Sequence, residues 1–169
     1  MLKLFKNKFP SGQLEKELLK DGELKRLDKE LKKLIKEKFS SKLNLYILDA
    51  GSCSGCELEL QALFNPLYNV SSIGIEVTYK IEDADILLIT GLMTENMYLE
   101  AKDIYKKLKE PKRVITIGDC PLFQAPFKNT FALKDDGRNP FASEYAILGC
   151  PPEPRLIMRE LLRYLKKLG

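Results

Sequence analysis

Beyond residue 42 the sequence alternates between short apolar runs and longer segments with helical spacing. Five apolar runs have the length and composition of strands: 43–50, 74–80, 84–90, 113–118 and 144–148. Three segments between and after them have the spacing of helices: 56–65, 95–109 and 153–168. Strands that alternate with helices need right-handed crossovers, which build parallel sheets. We therefore predict an α/β fold with a doubly wound, mostly parallel sheet.

The first 42 residues have a different character. They carry 13 Lys and Arg against 7 Asp and Glu, a net charge of +6, whereas the whole chain has +4. Residues 13–38 lack most β-branched residues and are predicted to be helical, with one apolar face: Leu24, Leu27, Leu31, Leu34 and Ile35. We predict a basic helical extension over 1–42 and one domain over 43–169. The helix either lies on an anionic membrane surface or packs on its own domain through the leucines.

Composition excludes several classes of chemistry. The chain contains no histidine, so Cys/His zinc sites, histidine acid–base catalysis and haem ligation by histidine are excluded. No stretch of about 20 apolar residues occurs, and residues 1–10 lack a signal-peptide core, so we expect an intracellular protein without a membrane span. Nucleic-acid binding is not expected, because the chain lacks a Gly-rich phosphate loop and aromatic residues among its basic ones. The four cysteines are the best candidates for chemistry.

Each cysteine site lies just after a predicted strand. Cys53 and Cys56 follow the first strand, Cys120 the fourth and Cys150 the fifth. Because the carboxyl ends of parallel strands meet at one edge of the sheet, we expect the four thiols to converge there. Four thiolates around one point can hold zinc or an iron–sulfur cluster.

Glycine and proline surround the cysteines, as expected beside a bulky group. The glycines are Gly51, Gly55, Gly118 and Gly149. A proline follows Cys120 and another follows Cys150, as proline also follows a ligating cysteine in bacterial ferredoxins.

Structural zinc sites usually carry two close cysteine pairs, and this chain has one. A thioredoxin-like C-x-x-C pair would leave Cys120 and Cys150 unexplained. A third alternative is that the four cysteines are buried structural thiols, but such thiols do not need flanking glycine and proline residues. A zinc-stabilised scaffold subunit remains the non-redox alternative.

Four segments carry a family resemblance: DAGSCSGCELEL (49–60), ADILLITG (84–91), IGDCP (117–121) and LGCPP (148–152). Together they resemble the small subunit of membrane-bound, energy-converting [NiFe] hydrogenases. The same family includes the cluster-bearing small subunit of respiratory complex I. The resemblance covers about residues 43–165 and rests on an ordered pattern of four cysteines.

The resemblance implies a flavodoxin-like fold and one proximal [4Fe-4S] cluster, with Cys53, Cys56, Cys120 and Cys150 as its ligands. Glu59 matches the family's acidic residue beside the cluster, with a proton-transfer or supporting role. The alternative interpretation is that Glu59 is a solvated carboxylate in the first turn of a helix, where it interacts favourably with the helix dipole. The implied function is electron transfer without catalysis by this chain alone. The implied partners are a hydrogenase-like large subunit, a ferredoxin-like cluster subunit and membrane-arm subunits. The implied location is the cytoplasm, peripheral on the inner face of the cell membrane.

The spacing of the first two cysteines resembles the hydrogenase branch, because complex I relatives carry adjacent cysteines there. Two departures bear on the partner. Many relatives follow the third cysteine with Gly-Gly, whereas residues 122–127 read LFQAPF here. After the fourth cysteine the usual order is a basic residue, Pro and Glu, whereas residues 153–155 read EPR. A complex I-like NADH or ferredoxin:quinone oxidoreductase subunit is therefore the alternative. Phe123 and Phe127, in a predicted irregular loop over 121–141, would seal or line a quinone path.

Overall fold

The computed structural model of the chain describes residues 22–122, 130–135 and 139–168. The described α-helices are α1 (Gly22–Lys38), α2 (Gly55–Ala62), α3 (Glu95–Lys107) and α4 (Pro154–Lys167). The described strands are β1 (Leu43–Asp49), β2 (Ile75–Val77), β3 (Ile86–Thr90), β4 (Val114–Ile117) and β5 (Tyr145–Ile147). Predicted residues 13–21 of the first helix, and Phe123 and Phe127, lie outside the described residues.

The five strands form one parallel sheet in the order β2-β1-β3-β4-β5. All five residues of the central strand β3 are buried, as expected for an apolar strand covered on both faces. This order is that of flavodoxin-like folds, in which ligands bind outside the carboxyl ends of the strands. The predicted α/β class and the parallel sheet are therefore confirmed.

Helices cover both faces of the sheet. One core combines α1, α2 and α4 with side chains of every strand, including Leu45, Leu88 and Ile117. The other core joins α3 to the opposite face, where Ile104 packs with Leu87 and other β3 residues. The sheet is thus doubly wound, with its two open edges formed by β2 and β5.

Helix α1 belongs to the first core. Leu24, Leu27, Leu31 and Ile35 are at most 6% exposed and pack with residues of α4 and the sheet. Ion pairs join its outer surface to α4, including Glu23 to Arg159 at 2.8 Å and Glu30 to Lys166 at 2.5 Å. Over 22–38 the apolar face therefore packs on the domain, which was the second of the two interpretations. The division at residue 42 stays a prediction.

Several boundaries differ from the sequence prediction. Strand β2 spans Ile75–Val77 only, because it forms an edge of the sheet and pairs with β1 alone. Two short 3₁₀-helices, Val70–Ile73 and Ile81–Asp83, were not predicted. Within the predicted loop over 121–141, Leu133 forms an isolated antiparallel bridge with Thr94, so described residues of this loop attach to the start of α3.

No helix among the described residues is long and apolar enough to cross a membrane.

Candidate metal centre

Three loops at the carboxyl edge of the sheet carry the cysteines. Cys53 lies in the loop after β1, and Cys56 lies in the first turn of α2. Cys120 follows β4 and Cys150 follows β5. All four are free thiols: Cys56 is buried, Cys120 is half-buried, and Cys53 and Cys150 are exposed. The strand β3 lies between β1 and β4, and its carboxyl end separates the first loop from the other two.

Direct contacts link the first loop to the other two. Gly118 has a φ of +93°, and a Cβ atom there would lie only 2.8 Å from Cys56 Sγ. The absence of a side chain at this position therefore lets the Cys56 thiol approach the loop of Cys120. On the other side, a Cβ atom at Gly55 would stand 3.5 Å from Cys53 Sγ and 3.6 Å from Cγ of Pro151. The first loop thus contacts both of the others.

Asp119 joins the second loop to the third through a reciprocal pair of hydrogen bonds. The Asp119 N–H donates to the Gly149 carbonyl at 3.1 Å, and the Gly149 N–H donates to Asp119 Oδ1 at 2.8 Å. These two residues immediately precede Cys120 and Cys150. The pair therefore fixes the spacing of the last two cysteines.

The four thiols share one electrostatic environment. Burial raises the pKa of Cys56 to about 12, and the negative charge of Glu57 and of the other three cysteines contributes to this rise. Burial also raises the pKa of Cys120, with added contributions from Cys150, Cys53 and Asp119. Thiols must lose their protons to bind metal, and bound cations remove the mutual repulsion that opposes this loss. Without a bound cation, Cys56 and Cys120 are therefore expected to stay protonated at neutral pH.

Side-chain hydrogen bonds hold the first loop. Asp49 Oδ1 accepts from the N–H groups of Gly51 and Ser52 at 2.8 and 2.7 Å. The Ser52 hydroxyl accepts from the Ser54 N–H at 2.9 Å and donates to Glu57 Oε2 at 2.7 Å. These contacts replace the ladder of hydrogen bonds that a loop beyond the sheet lacks.

Two residues at the end of β3 support the same loop and were missed by the sequence reasoning. The Thr90 hydroxyl is fully buried and donates to Glu57 Oε1. Gly91 has a φ of +75°, and a Cβ atom there would lie 2.5 Å from the Ser52 nitrogen. A polar residue followed by glycine at the end of an otherwise apolar strand was the available signal.

The predicted acidic residue Glu59 lies on α2. Its near neighbour Glu57 is the carboxylate bonded to Ser52 and Thr90, and it was not singled out from the sequence. The role of Glu59 beside a cluster stays a prediction.

Within residues 22–122, 130–135 and 139–168, no three Cys, His, Asp or Glu side chains form a group arranged to hold a metal ion. The chemistry of the donors nevertheless fits a thiolate-bound group. Four free thiols come from three connected loops, and the loop around Gly118 leaves space that a side chain would fill. The residues present are therefore suited to a cluster held by Cys53, Cys56, Cys120 and Cys150.

Exposed apolar side chains lie next to the cysteines in sequence. Leu58, two residues after Cys56, is 62% exposed. Leu122 and Leu148, each two residues from a cysteine, are 44% and 46% exposed. We call these three residues the rim leucines. Apolar side chains grouped around a polar site are typical of a surface that another protein covers.

A groove adjoins the first loop on its β2 side. It has a volume of about 680 Å³ and, within the described residues, is lined by six apolar or aromatic ones, among them Tyr46, Leu60, Phe64 and Tyr79, and by five polar ones. Glu57, next to Cys56, also lines it. The groove therefore extends to a residue that directly follows a candidate ligand.

Comparison with known proteins identifies the family. Residues 53–164 match the family model of the NADH ubiquinone oxidoreductase, 20 Kd subunit. A probable membrane-bound hydrogenase subunit, mbhJ of Pyrococcus furiosus, is 32% identical over 88% of this chain and 89% of its own length. A subunit of the NADH-quinone oxidoreductase of Clostridium beijerinckii is 30% identical over 67% of this chain and 68% of its own length.

Solved structures share the fold. A chain of the membrane-bound sulfane sulfur reductase, an archaeal respiratory membrane complex, superposes with a TM-score of 0.62 at 23% identity and covers 78% of this chain and 75% of its own. The fold predicted from the family resemblance is thereby confirmed. Because the family model spans all four cysteines, beginning at Cys53, and relatives occur in both branches, the chain belongs to the oxidoreductase family of the NADH ubiquinone oxidoreductase 20 kDa subunit.

Proposed function

We propose that this chain binds one [4Fe-4S] cluster through Cys53, Cys56, Cys120 and Cys150 and is the electron-transfer small subunit of a [NiFe] hydrogenase-type complex. The observation that carries the proposal is that four free thiols lie on three contacting loops at one edge of the sheet. Four cysteine thiolates are the usual ligands of such a cluster. When bound, the cluster supplies one-electron transfer, and the chain itself makes and breaks no substrate bond.

The residues around the cysteines suit a relay between proteins. Cys56 is buried against Gly118, whereas Cys53 and Cys150 reach the surface. The bound group would therefore contact the protein interior on the side of Cys56 and the protein surface on the side of Cys53 and Cys150. The rim leucines, Leu58 and its two counterparts in the other loops, would then be covered by a large subunit, which also excludes water from the site.

The relatives support the wider assembly. The Pyrococcus furiosus relative is named as a subunit of a membrane-bound hydrogenase. We therefore infer that a hydrogenase-like large subunit is the direct partner, with a ferredoxin-like cluster subunit and membrane-arm subunits in the same complex. The chain would lie on the cytoplasmic side, peripheral on the inner face of the cell membrane.

Metal and sulfide analysis of anaerobically purified protein tests the cluster. We expect about four iron and four sulfide per chain, the composition of one such cluster. Cys120→Ala should lose most of this iron, whereas Leu99→Ala, at an exposed position of α3, should keep it. One zinc per chain without iron would instead establish the zinc-stabilised scaffold. Wild-type iron in Cys120→Ala would refute the ligand set.

Copurification tests the docking surface. Leu58→Glu combined with Leu148→Glu places two charges among the rim leucines, and we expect it to abolish recovery of the large subunit. Leu99→Glu introduces the same charge at a site that is 68% exposed on the other side of the sheet, and recovery should be unchanged. Equal recovery with both variants would show that the partner binds elsewhere.

The groove beside the first loop favours a second candidate, a complex I-like NADH or ferredoxin:quinone oxidoreductase subunit. An apolar path that ends in polar groups is what a quinone headgroup requires, and this groove combines Leu60 and Phe64 with Glu57. Analysis of the complex purified with its large subunit separates the two. Nickel with hydrogen-dependent dye reduction supports the hydrogenase type. A nickel-free complex that reduces quinone supports the second candidate.

A further inference from the structure

The Glu57 carboxylate links two parts of the site that are distant in sequence. One oxygen accepts from the Ser52 hydroxyl at 2.7 Å, and the other accepts from the buried hydroxyl of Thr90. Ser52 belongs to the loop that carries Cys53, and Thr90 ends the central strand β3. The carboxylate therefore fastens the loop to the rigid centre of the sheet.

Both hydroxyls are themselves held in place. The Ser52 hydroxyl accepts from the Ser54 N–H at 2.9 Å, which leaves its single proton for Glu57. The Thr90 side chain is fully buried at the end of β3, so its hydroxyl has no water to bind in place of Glu57. Directly beyond Thr90, the backbone of Gly91 packs against Ser52. The geometry thus fixes both oxygens of Glu57, which a solvated carboxylate would not need.

We propose that Glu57 is a positioning residue, which holds the loop of Cys53 and Cys56 and keeps a negative charge beside the bound cluster, so that the cluster has a lower reduction potential. This inference rests on the proposed function, because it assumes that a cluster binds. It concerns Glu57, which lies in the segment 49–60 but was given no role from the sequence, and not the predicted residue Glu59.

The effect on the potential follows from charge. Reduction adds one electron to the cluster, and a nearby carboxylate raises the energy of the more negative state. Glu57 directly follows Cys56 in the first turn of α2, and its carboxylate bonds to the residue before Cys53. A carboxylate held by two hydroxyl groups cannot turn towards solvent, where water and salt would screen its charge. Loss of either hydroxyl should therefore weaken the effect, and loss of the charge should abolish it.

The test measures the midpoint potential of the cluster in the anaerobically purified full chain by a redox titration followed by electron paramagnetic resonance. Glu57→Gln removes the charge and keeps the shape, and we expect a shift to a more positive potential. Thr90→Val keeps the charge and removes one hydroxyl, and we expect a smaller shift in the same direction. Glu82→Gln removes an equal charge from the exposed 3₁₀-helix before β3, and we expect no shift.

Hydrogen exchange of the cluster-free chain gives a second readout. The Ser54 amide should exchange faster in both Glu57→Gln and Thr90→Val than in the wild type, while the amides of β4 are unchanged. Unchanged Ser54 exchange in both variants would overturn the positioning role. A wild-type potential in Glu57→Gln, at wild-type iron content, would overturn the role in tuning, and so would a shift seen only in Glu59→Gln. Absence of iron in the wild-type chain would instead refute the proposed function. Hydrogen exchange of the Ser54 amide would still test whether Glu57 holds the loop.

Discussion

The seam between α1 and α4 and the edge that carries the cysteines are built in opposite ways. At the seam, buried leucines such as Leu31 and Leu162 pack in the main core, and ion pairs lie outside them. At the cysteine edge, loops are held by a few hydrogen bonds, such as the reciprocal pair between Asp119 and Gly149, and apolar side chains are exposed. The seam therefore contributes buried apolar surface to the fold, whereas the cysteine edge is held by polar contacts between loops.

The largest expected effect on stability comes from the seam. Leu31 is fully buried, so Leu31→Ala should lower the free energy of unfolding by about 2–5 kcal/mol. Leu99→Ala removes the same atoms from a largely exposed site and should change it by less than about 0.5 kcal/mol. Denaturant unfolding of the reduced, cluster-free chain measures both. A loss below about 1 kcal/mol for Leu31→Ala would show that α1 is not part of the stable core.

At the cysteine edge, Gly118→Ala should have the next largest effect. The added Cβ atom would meet Cys56 Sγ at 2.8 Å, and the backbone φ of +93° disfavours any side chain. We expect a loss of about 1–3 kcal/mol together with reduced iron content. Gly22→Ala is the control, because no atom lies within 4 Å of its added Cβ atom, at the start of α1. Normal iron in Gly118→Ala would indicate that Cys56 and the loop of Cys120 do not need this close approach.

The link between the last two loops should have a smaller effect that is local to the edge. Asp119→Ala leaves the Gly149 N–H without its acceptor, which corresponds to about 1–3 kcal/mol when such a group is buried. We expect faster hydrogen exchange at Gly149 and less iron retained under mild chelation. Asp119→Asn keeps an oxygen that can accept the bond and should restore most of the iron. If both variants lose iron equally, the carboxylate charge matters more than the hydrogen bond.

The smallest expected effect is a pH dependence on the α4 side. Burial, followed by the hydrogen bond to Glu160, raises the pKa of Tyr145 to about 12. In the unfolded chain the same phenol ionises near pH 10, so the unfolded state loses its proton first. This contribution to stability is complete below about pH 10 and is lost as the pH rises towards 12. Unfolding followed against pH should show a shallower decline in Tyr145→Phe, and identical profiles would contradict the assignment.

The sequence predicted the main elements because their signals are local. Apolar runs such as 84–90 have the length and composition of buried strands, and β3 is found at Ile86–Thr90 within that run. The prediction for β2 ran too far, because its pairing with β1 stops at Val77 although the alternating sequence pattern continues to residue 80. The 3₁₀-helices had no periodic signal long enough to detect.

By itself, the sequence determined the α/β class and the order of the cysteine loops, since each cysteine follows a strand and parallel strands share one carboxyl edge. Only the tertiary structure decided which side chains support those loops. Glu57 and Thr90 are 33 residues apart, and they meet because β3 is inserted between β1 and β4 in the sheet. Likewise the leucines of α1 predicted an apolar face, but its burial against α4 depends on a neighbour more than 100 residues away in sequence, which no local pattern specifies.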